Sequence, residues 1–558
     1  MADDSVAQII VNSLYSAGVR IVFGIPGAKV DAIFDCLLDH PEIRLIVCRH
    51  EQNAAMMAAA VGRISGIPGV CVATSGPGAS NLATGLVTAT TEGDPVVAII
   101  GSVPRLMNTK RTHQSMRALE ILGPTSKSAV GIDVEDQAAE VVLSAFRTAS
   151  TSPKGASVVS IPADIAKGRS KFLQFPSHAF SAPRYGLAHQ DLLNEAVKLI
   201  EAAKFPVLFL GMRSSSPQVV GAVRKLLTSH PLITVETFQA AGAVSKKLAY
   251  LFHGRVGLFR NQVGDKALAK SDLVLAVGYD PVEYDANLWN PTAARKIIHL
   301  DYASSDVGAY YHPLLELLGS IKENLLYLTE NLKQVIDVTR SETAQDLSDQ
   351  FLQWQKLPQI TRTSGLVHPL HFISQLQKAI SENTTVAVDV GTVYIYMMRF
   401  FFAYQPRKLL CSDGQQTLGV ALPWAIAASL IQEPPCSSKV VSMSGDGGFM
   451  FSSQELSTAV QQGCNITHFI WNDSSYNMVQ FQEELKYGRS SGVKLGGVDF
   501  VKFAESFGAR GFRMSDESEV EEVMAQALAY QGVSLVDVNI DYSNNKELAG
   551  HVIDSEFN

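Results

Sequence analysis

The stretch Lys439-Val-Val-Ser-Met-Ser-Gly-Asp446-Gly447-Gly448-Phe449, continued by Ser452-Ser-Gln-Glu455 and then by Cys464-Asn-Ile-Thr-His-Phe-Ile-Trp-Asn-Asp473-Ser-Ser475-Tyr476-Asn477, decides the fold. Its first piece reads as a buried strand ending in a Gly-Asp-Gly turn. Its second opens with Ser452-x-x-Glu455, the pattern of a capping box at a helix start. Its third is another apolar strand. Strand, helix and strand make one β-α-β unit, so the two strands are expected to be parallel. Asp446 and Asp473 then stand at the carboxyl ends of strands in one sheet, where open α/β sheets bind ligands.

Aspartate beside glycine is usually a turn or cap residue. Two of them at β-α-β spacing, after a glycine-rich turn, point further. Glycines 445, 447 and 448 let the backbone approach a phosphate. Two hard oxygen ligands beside exposed amides suit Mg²⁺ shared with a diphosphate. The arrangement resembles the thiamine-diphosphate motif, Gly-Asp-Gly followed after roughly 25 residues by Asn or Asp. The chain has Asn472-Asp473 where Asn-Asn is common, and the register makes Asp473 the second side-chain ligand. The resemblance implies the backbone carbonyl of Ser475 as the third protein ligand.

The rest of the chain sets limits. Its 558 residues suggest three or four domains. It is 46% hydrophobic and 18% charged, as ordinary globular proteins are. A formal charge of −8, with no basic run, argues against nucleic acid or an anionic membrane as partner. The longest apolar run, Gly419 to Ile431, is too short to span a bilayer and reads as a buried helix. The acidic start Met-Ala-Asp-Asp is unlike a signal peptide. Six cysteines, at 36, 48, 71, 411, 436 and 464, form no Cys-x-x-Cys pair and read as buried thiols in a reducing cytoplasm.

Three stretches alternate strand-like and helix-like runs. An α/β fold is expected, with three successive domains built on parallel sheets, at 1–170, 190–340 and 365–545. A polar segment from Ser170 to His189 and a charged one from Ser341 to Gln359 read as separators.

In the first block, Leu45-Ile-Val-Cys-Arg-His-Glu51 reads as a strand entering a helix. A carboxylate at a helix start is favoured by the dipole alone. With thiamine diphosphate, a carboxyl group bonded to N1′ of the aminopyrimidine promotes the imino tautomer that deprotonates C2, and Glu51 is the candidate. Thr74-Ser-Gly76-Pro77-Gly78-Ala-Ser80-Asn81 and Phe23-Gly-Ile-Pro-Gly-Ala-Lys29 are further turns of this kind. Lys29 is a candidate to meet a carboxylate substrate, but a solvated lysine is the default reading.

Longer segments carry a closer resemblance. Arg49-His-Glu51, Glu92-Gly-Asp-Pro95, Thr112-His113-Gln114-Ser-Met116, Gly254-Arg-Val-Gly-Leu-Phe259, Gly278-Tyr-Asp-Pro-Val-Glu-Tyr284, Gly414-Gln415-Gln416-Thr417 through Pro423-Trp424, and Tyr476-Asn-Met-Val-Gln-Phe-Gln482 are similar to the catabolic, flavin-independent branch of the acetolactate synthase family. The resemblance implies a pyrimidine-binding first domain, a Rossmann-like middle and a diphosphate-binding third. The implied reaction condenses two pyruvates to 2-acetolactate with loss of CO₂, through a thiamine-bound hydroxyethyl carbanion. It implies Gln114 and Gln482 beside the reacting groups, with Gln482 favouring pyruvate over 2-ketobutyrate as second substrate. It places Gly391, Thr392, Gln415, Gln416, Leu418, Gly447, Gly448, Tyr476, Asn477 and Met478 around the cofactor. Leu418 stands where the family often has Met under the thiazolium, and Tyr394 where close relatives have a His. The middle block lacks Gly-x-Gly-x-x-Gly and the Arg-Phe-Asp-Asp-Arg of flavin-dependent relatives, so no FAD is expected. A homodimer or homotetramer is implied, the cofactor lying between subunits. Alternatives are another carboligase, 2-oxoacid decarboxylase or pyruvate oxidase of this fold, or a scaffold that has lost its chemistry.

Overall fold

The computed structural model describes residues 4–171, 174–258, 262–355, 365–432 and 438–545. Phe259 and Cys436 lie outside them. Twenty strands are numbered along the chain. The first eight are β1 (Asp4–Ser5), β2 (Ile21–Gly24), β3 (Arg44–Val47), β4 (Gly69–Ala73), β5 (Val96–Ser102), β6 (Ser128–Gly131), β7 (Ala156–Pro162) and β8 (Arg169–Ser170). The middle six are β9 (Pro206–Leu210), β10 (Ile233–Thr237), β11 (Phe252–Val256), β12 (Leu273–Val277), β13 (Lys296–Asp301) and β14 (Leu315–Leu318). The last six are β15 (Val386–Val388), β16 (Leu409–Leu410), β17 (Val440–Gly445), β18 (Ile466–Asn472), β19 (Arg510–Met514) and β20 (Val533–Asn539).

They form three six-stranded parallel sheets, in the orders β3-β2-β4-β5-β7-β6, β11-β10-β9-β12-β13-β14 and β16-β15-β17-β18-β20-β19, with β1 and β8 as a separate antiparallel pair. The expected α/β class with parallel sheets is what the chain forms. Central strands such as Val-Leu-Phe-Leu of β9 and Leu-Val-Leu-Ala-Val of β12 are buried along their whole length, as helices on both faces require. The first and third sheets share one topology: counted within each sheet, the order is 2-1-3-4-6-5 in both. The middle sheet is 3-2-1-4-5-6, the dinucleotide-fold order.

The outer domains share a core. The helix Glu51–Ser65, which follows β3, and the helix Ala421–Leu430, which follows β16, are both lined with small and apolar side chains, and their residues join one buried cluster. The apolar run read as a buried helix is the second of these.

Two separators are more than linkers. Glu342–Gln355 is a helix whose Ala344, Leu347 and Phe351 enter the middle core. Its apolar residues recur at helical spacing, a signal masked by their charged neighbours. In the other, Phe180 is buried edge-on against Phe146, with ring centroids 5.8 Å apart.

Candidate active site

Asp446 follows β17 and Asp473 follows β18, and those two strands are adjacent and parallel with Gly445 opposite Trp471. The β-α-β reading therefore puts both carboxylates at one sheet edge. Burial and then the charge of Asp473 push the Asp446 carboxyl up to about 6. Burial pushes Asp473 up to about 6 too, against the opposing effects of the Asn477 amide and Lys494. Two acids crowded out of water in this way are eased by a cation between them.

The third candidate ligand has a structural reason to be free. Ser475 and Lys494 form an antiparallel bridge in which Tyr476 N donates to Val493 O and Leu495 N donates to Ser474 O. Ser475 thus occupies the non-hydrogen-bonded position, where its own carbonyl is not used by the facing strand. Its buried hydroxyl donates to Gln480 Oε1 at 2.7 Å and does not compete. Two carboxylates and a carbonyl are a hard oxygen set that fits Mg²⁺ with waters and a diphosphate.

The neighbouring backbone is shaped for close approach. A Cβ on Gly447 would lie 2.4 Å from Cε1 of Tyr476, so only glycine fits there. Gly391, at φ +133°, precedes the helix Thr392–Phe400. Thr392 Oγ1 donates to Asn477 Oδ1 at 2.9 Å, and Asn477 Nδ2 donates to Asp473 Oδ2 at 2.7 Å. One side chain therefore ties a helix start to a candidate metal ligand. Met478 packs with Ile395 and Phe481. Gln482, farther along the helix Asn477–Tyr487, is half-buried, and its side chain makes no hydrogen bond among the described residues.

Glu51 begins its helix in the N-terminal domain and is buried. Oε2 accepts from Asn81 Nδ2 at 2.9 Å, and Oε1 faces Gly78, where an added Cβ would lie 3.2 Å away. Gln114 packs on Gly76 with a left-handed backbone (φ 59°), which brings it to the same turn. Lys29 is half-buried, its backbone against Gly101. Among the described residues no hydrogen bond or ion pair links Glu51 to the C-terminal domain.

Gln415, Gln416 and Leu418 lie on the turn after β16. The Gln415 amide donates to Thr91 Oγ1 at 3.0 Å, and Gln416 has φ 48°. Leu418 is half-buried, and the next residue, Gly419, donates to Asp389 Oδ1 at 2.9 Å.

Comparison with known proteins identifies this architecture. Residues 4–121 match the family model described as the N-terminal TPP binding domain of thiamine pyrophosphate enzymes, 193–328 match the central domain and 389–538 the C-terminal TPP binding domain. The chain is 46% identical over 553 residues to "Acetolactate synthase" of Bacillus subtilis (strain 168), covering 99% of this chain and 96% of that protein. It is 42% identical to "Acetolactate synthase, catabolic" of Raoultella terrigena, covering 98% and 97%. It is 30% identical to "Probable acetolactate synthase large subunit" of Methanocaldococcus jannaschii, covering 96% and 92%. The chain belongs to the acetolactate synthase family. It is a thiamine-diphosphate-dependent enzyme, thiamine pyrophosphate being the same compound.

Against this family background one reading of the sequence changes and three further residues find their places. Ser452 and Glu455 do not form a capping box. Gln454, not Ser452, is the N-cap of the helix Glu455–Gln461, and the Glu455 carboxylate leaves its own helix start for the N-terminal domain. Tyr394 does not reach toward the aspartate pair. It is buried against Phe238 of the middle domain, and its hydroxyl donates to Asp413 Oδ1 at 2.7 Å. Asn81 and Asp389 carried no role in the sequence reading. Asn81 sits one turn beyond Gly78, on the helix Pro77–Asn81, a spacing that puts both on one face of that helix.

Proposed function

We propose that this chain condenses two pyruvates to 2-acetolactate and CO₂, with thiamine diphosphate and Mg²⁺, as a homodimer or homotetramer. The observation that carries the cofactor reading is the crowded Asp446–Asp473 pair at the ends of adjacent parallel strands, in a chain that matches acetolactate synthases over nearly its full length.

Bound there, thiamine diphosphate supplies the nucleophile and electron sink that decarboxylation of a 2-oxoacid needs. Asp446, Asp473 and the Ser475 carbonyl hold Mg²⁺. Gly391, Thr392, Gly447, Gly448, Tyr476 and Asn477 receive the diphosphate, and Gln415, Gln416, Leu418 and Met478 flank the rings. Glu51 holds a proton at N1′ of the aminopyrimidine, with Asn81 fixing one of its oxygens and leaving the other facing Gly78. Gln114 and Gln482 present amide N–H groups to substrate carboxylate and developing alkoxide. Because the contacts of Glu51 are in the first domain and those of the aspartates in the third, a two-fold pair of chains is the natural way to unite them. The five described cysteines are free and four are buried, which fits a reducing cytoplasm.

That no flavin is needed rests on the sequence of the middle domain, which lacks the dinucleotide-binding motifs. At its switch point, between β9 and β12, Arg213 Nε donates to both Asp301 oxygens at 3.0 and 2.8 Å, and Nη1 pairs with Asp280 at 2.5 Å. A Cβ on Gly211 would lie 2.4 Å from Tyr279 Cα. Arg213 and Asp280 line a cavity of about 670 Å³ at this sheet edge, so their ion pair sets the charge of the lining without filling the crevice.

The test is to incubate the protein with Mg²⁺, thiamine diphosphate and pyruvate and to identify the product. Acetolactate is expected, in protein without a flavin absorption band. Acetaldehyde as the main product would make the chain a decarboxylase, and acetyl phosphate formed with consumption of O₂ a pyruvate oxidase.

A further inference from the structure

Two buried glutamates cross between the outer domains in opposite directions. Glu455 belongs to the C-terminal domain, on the crossover from β17 to β18, and has no exposed surface. Its Oε1 accepts from the backbone N–H of Arg49 at 2.9 Å and of His50 at 3.0 Å, and from Asn53 Nδ2 at 3.2 Å. Its Oε2 accepts from Thr458 Oγ1 at 2.6 Å. Arg49 strengthens the same junction, donating to Ser457 Oγ at 3.0 Å and to Gln461 Oε1 at 2.6 Å. Arg49 and His50 immediately precede Glu51.

Glu92 belongs to the N-terminal domain, on the crossover from β4 to β5. Its Oε1 accepts from Ser412 Oγ at 2.8 Å, Gly414 N at 3.1 Å and Gln415 N at 3.2 Å. Its Oε2 accepts from Asp413 N at 3.1 Å and from the amide of Gln239. This turn leads directly into Gln415, Gln416 and Leu418.

The two contacts are related by the shared topology of the outer sheets. Each glutamate lies on the crossover between the third and fourth strands of its own sheet. Each grips the turn after the second strand of the other sheet, just where that turn enters one of the two packed helices. A carboxylate taken fully out of water is costly unless donors surround it, and here the donors are the backbone amides of the turns themselves. A turn held by its own N–H groups through a buried carboxylate has little freedom to shift.

We infer that Glu455 and Glu92 are reciprocal positioning residues: Glu455 fixes the turn that aims Glu51, and Glu92 fixes the turn that presents Gln415, Gln416 and Leu418. The inference rests on the reading that Glu51 acts on the aminopyrimidine. Neither glutamate touches substrate or cofactor. Their effect is geometric, and a small displacement of a catalytic group is expensive in rate.

The test uses the full chain loaded with Mg²⁺ and thiamine diphosphate. Glu455→Asp keeps the charge but withdraws the carboxylate by one methylene. It is expected to slow deuterium exchange at C2 at least tenfold, within the roughly hundredfold that a 1 Å misplacement can cost. Cofactor affinity, set at the diphosphate end, should stay close to the parent's. Glu455→Gln keeps an acceptor oxygen for Arg49, His50 and Asn53 and should restore most of the exchange rate. Glu92→Asp should do the reverse, weakening cofactor affinity with less effect on exchange. Amide hydrogen exchange at Arg49 and His50 reads the turn directly, whatever Glu51 does: protection should fall in Glu455→Asp and return in Glu455→Gln. Parent-like amide protection and C2 exchange in folded Glu455→Asp would overturn the inference, as would a Gln variant as impaired as the Asp variant. Glu51→Gln is run beside them. If it alone leaves C2 exchange unchanged while the amides respond to Glu455→Asp, the reading of Glu51 fails and the clamp stands.

Discussion

Burial raises the cost of ionising Asp446 and Asp473, the charge of Asp473 adds to it at Asp446, and the fold keeps the two at one sheet edge all the same. Removing one relieves that repulsion and takes a charged ligand from the candidate metal. Asp446→Ala is therefore expected to keep its fold and to lose cofactor retention. The loss of affinity, measured by titrating thiamine diphosphate at low Mg²⁺, should exceed the roughly 10–100-fold typical of losing a mere outer-shell partner of a metal ligand. Normal binding would remove these residues from the metal site. Gln482 calls for a different measurement, because it is assigned to the second substrate rather than the cofactor. Its amide presents a polar surface where an extra methyl of 2-ketobutyrate needs an apolar one. Gln482→Trp should raise the share of 2-aceto-2-hydroxybutyrate formed from mixed pyruvate and 2-ketobutyrate. One methylene in an apolar pocket sets a ceiling of roughly ten- to two-hundredfold. An unchanged product ratio, in a variant that still makes acetolactate, would mean that Gln482 does not select the acceptor.

Among elements, β17 and β18 show what a sequence can and cannot tell. Both are apolar runs bounded by glycine and aspartate, so their existence, direction and terminal carboxylates are legible without coordinates. The same period says nothing about His468, in the middle of β18. It is buried between Ser442 and Ser444 of β17, whose hydroxyls lie 2.7 Å from Nδ1 and 2.9 Å from Nε2, and burial pulls its pKa down to about 3. The folded chain thus keeps His468 neutral, while the unfolded chain takes up a proton below its ordinary value near 6.5. Stability from this residue is complete above that value and is lost as the pH falls from there toward 3. At pH 5 the loss is about 2 kcal/mol. Urea midpoints between pH 7.5 and 5 should fall more steeply for the parent than for His468→Gln, and equal slopes would show that His468 is not held neutral. Glu455 was legible only in part, and misleadingly. Three residues after Ser452, it has the spacing of a capping box, but its carboxylate serves a turn about 400 residues earlier in the chain. Local spacing reports local bonds, and nothing in the pattern around Ser452 marks a partner that distant. Tyr394 was legible only as a departure from the His of close relatives; its contacts with Phe238 and Asp413, outside its own motif, determine where its ring goes.

At the scale of the whole molecule, and among the described residues, no hydrogen bond or ion pair links Glu51 to Asp446 or Asp473, the two ends of the proposed site. The Glu51 turn is gripped from the C-terminal domain by Glu455, and the Gln415 turn from the N-terminal domain by Glu92, so the two outer domains are locked in one relative placement. In the proposed assembly a second copy related by a two-fold axis would supply the missing half twice over, since an isologous contact made once is made again. Complementation tests this. Glu51→Gln and Asp446→Ala are each expected to be inactive as homodimers. After subunit exchange, a mixed dimer contains one site carrying both lesions and one carrying neither. Acetolactate formation should then reappear, at up to half the activity of the parent per mixed dimer. The measurement needs mixed dimers demonstrated independently, for instance by differently tagged chains purified in sequence. If such dimers form and remain inactive, Glu51 and Asp446 serve the same site within one chain, and the two-fold assembly of the site is wrong. If activity returns in proportion to the mixed species, Glu51 and Asp446 meet across the interface between two chains.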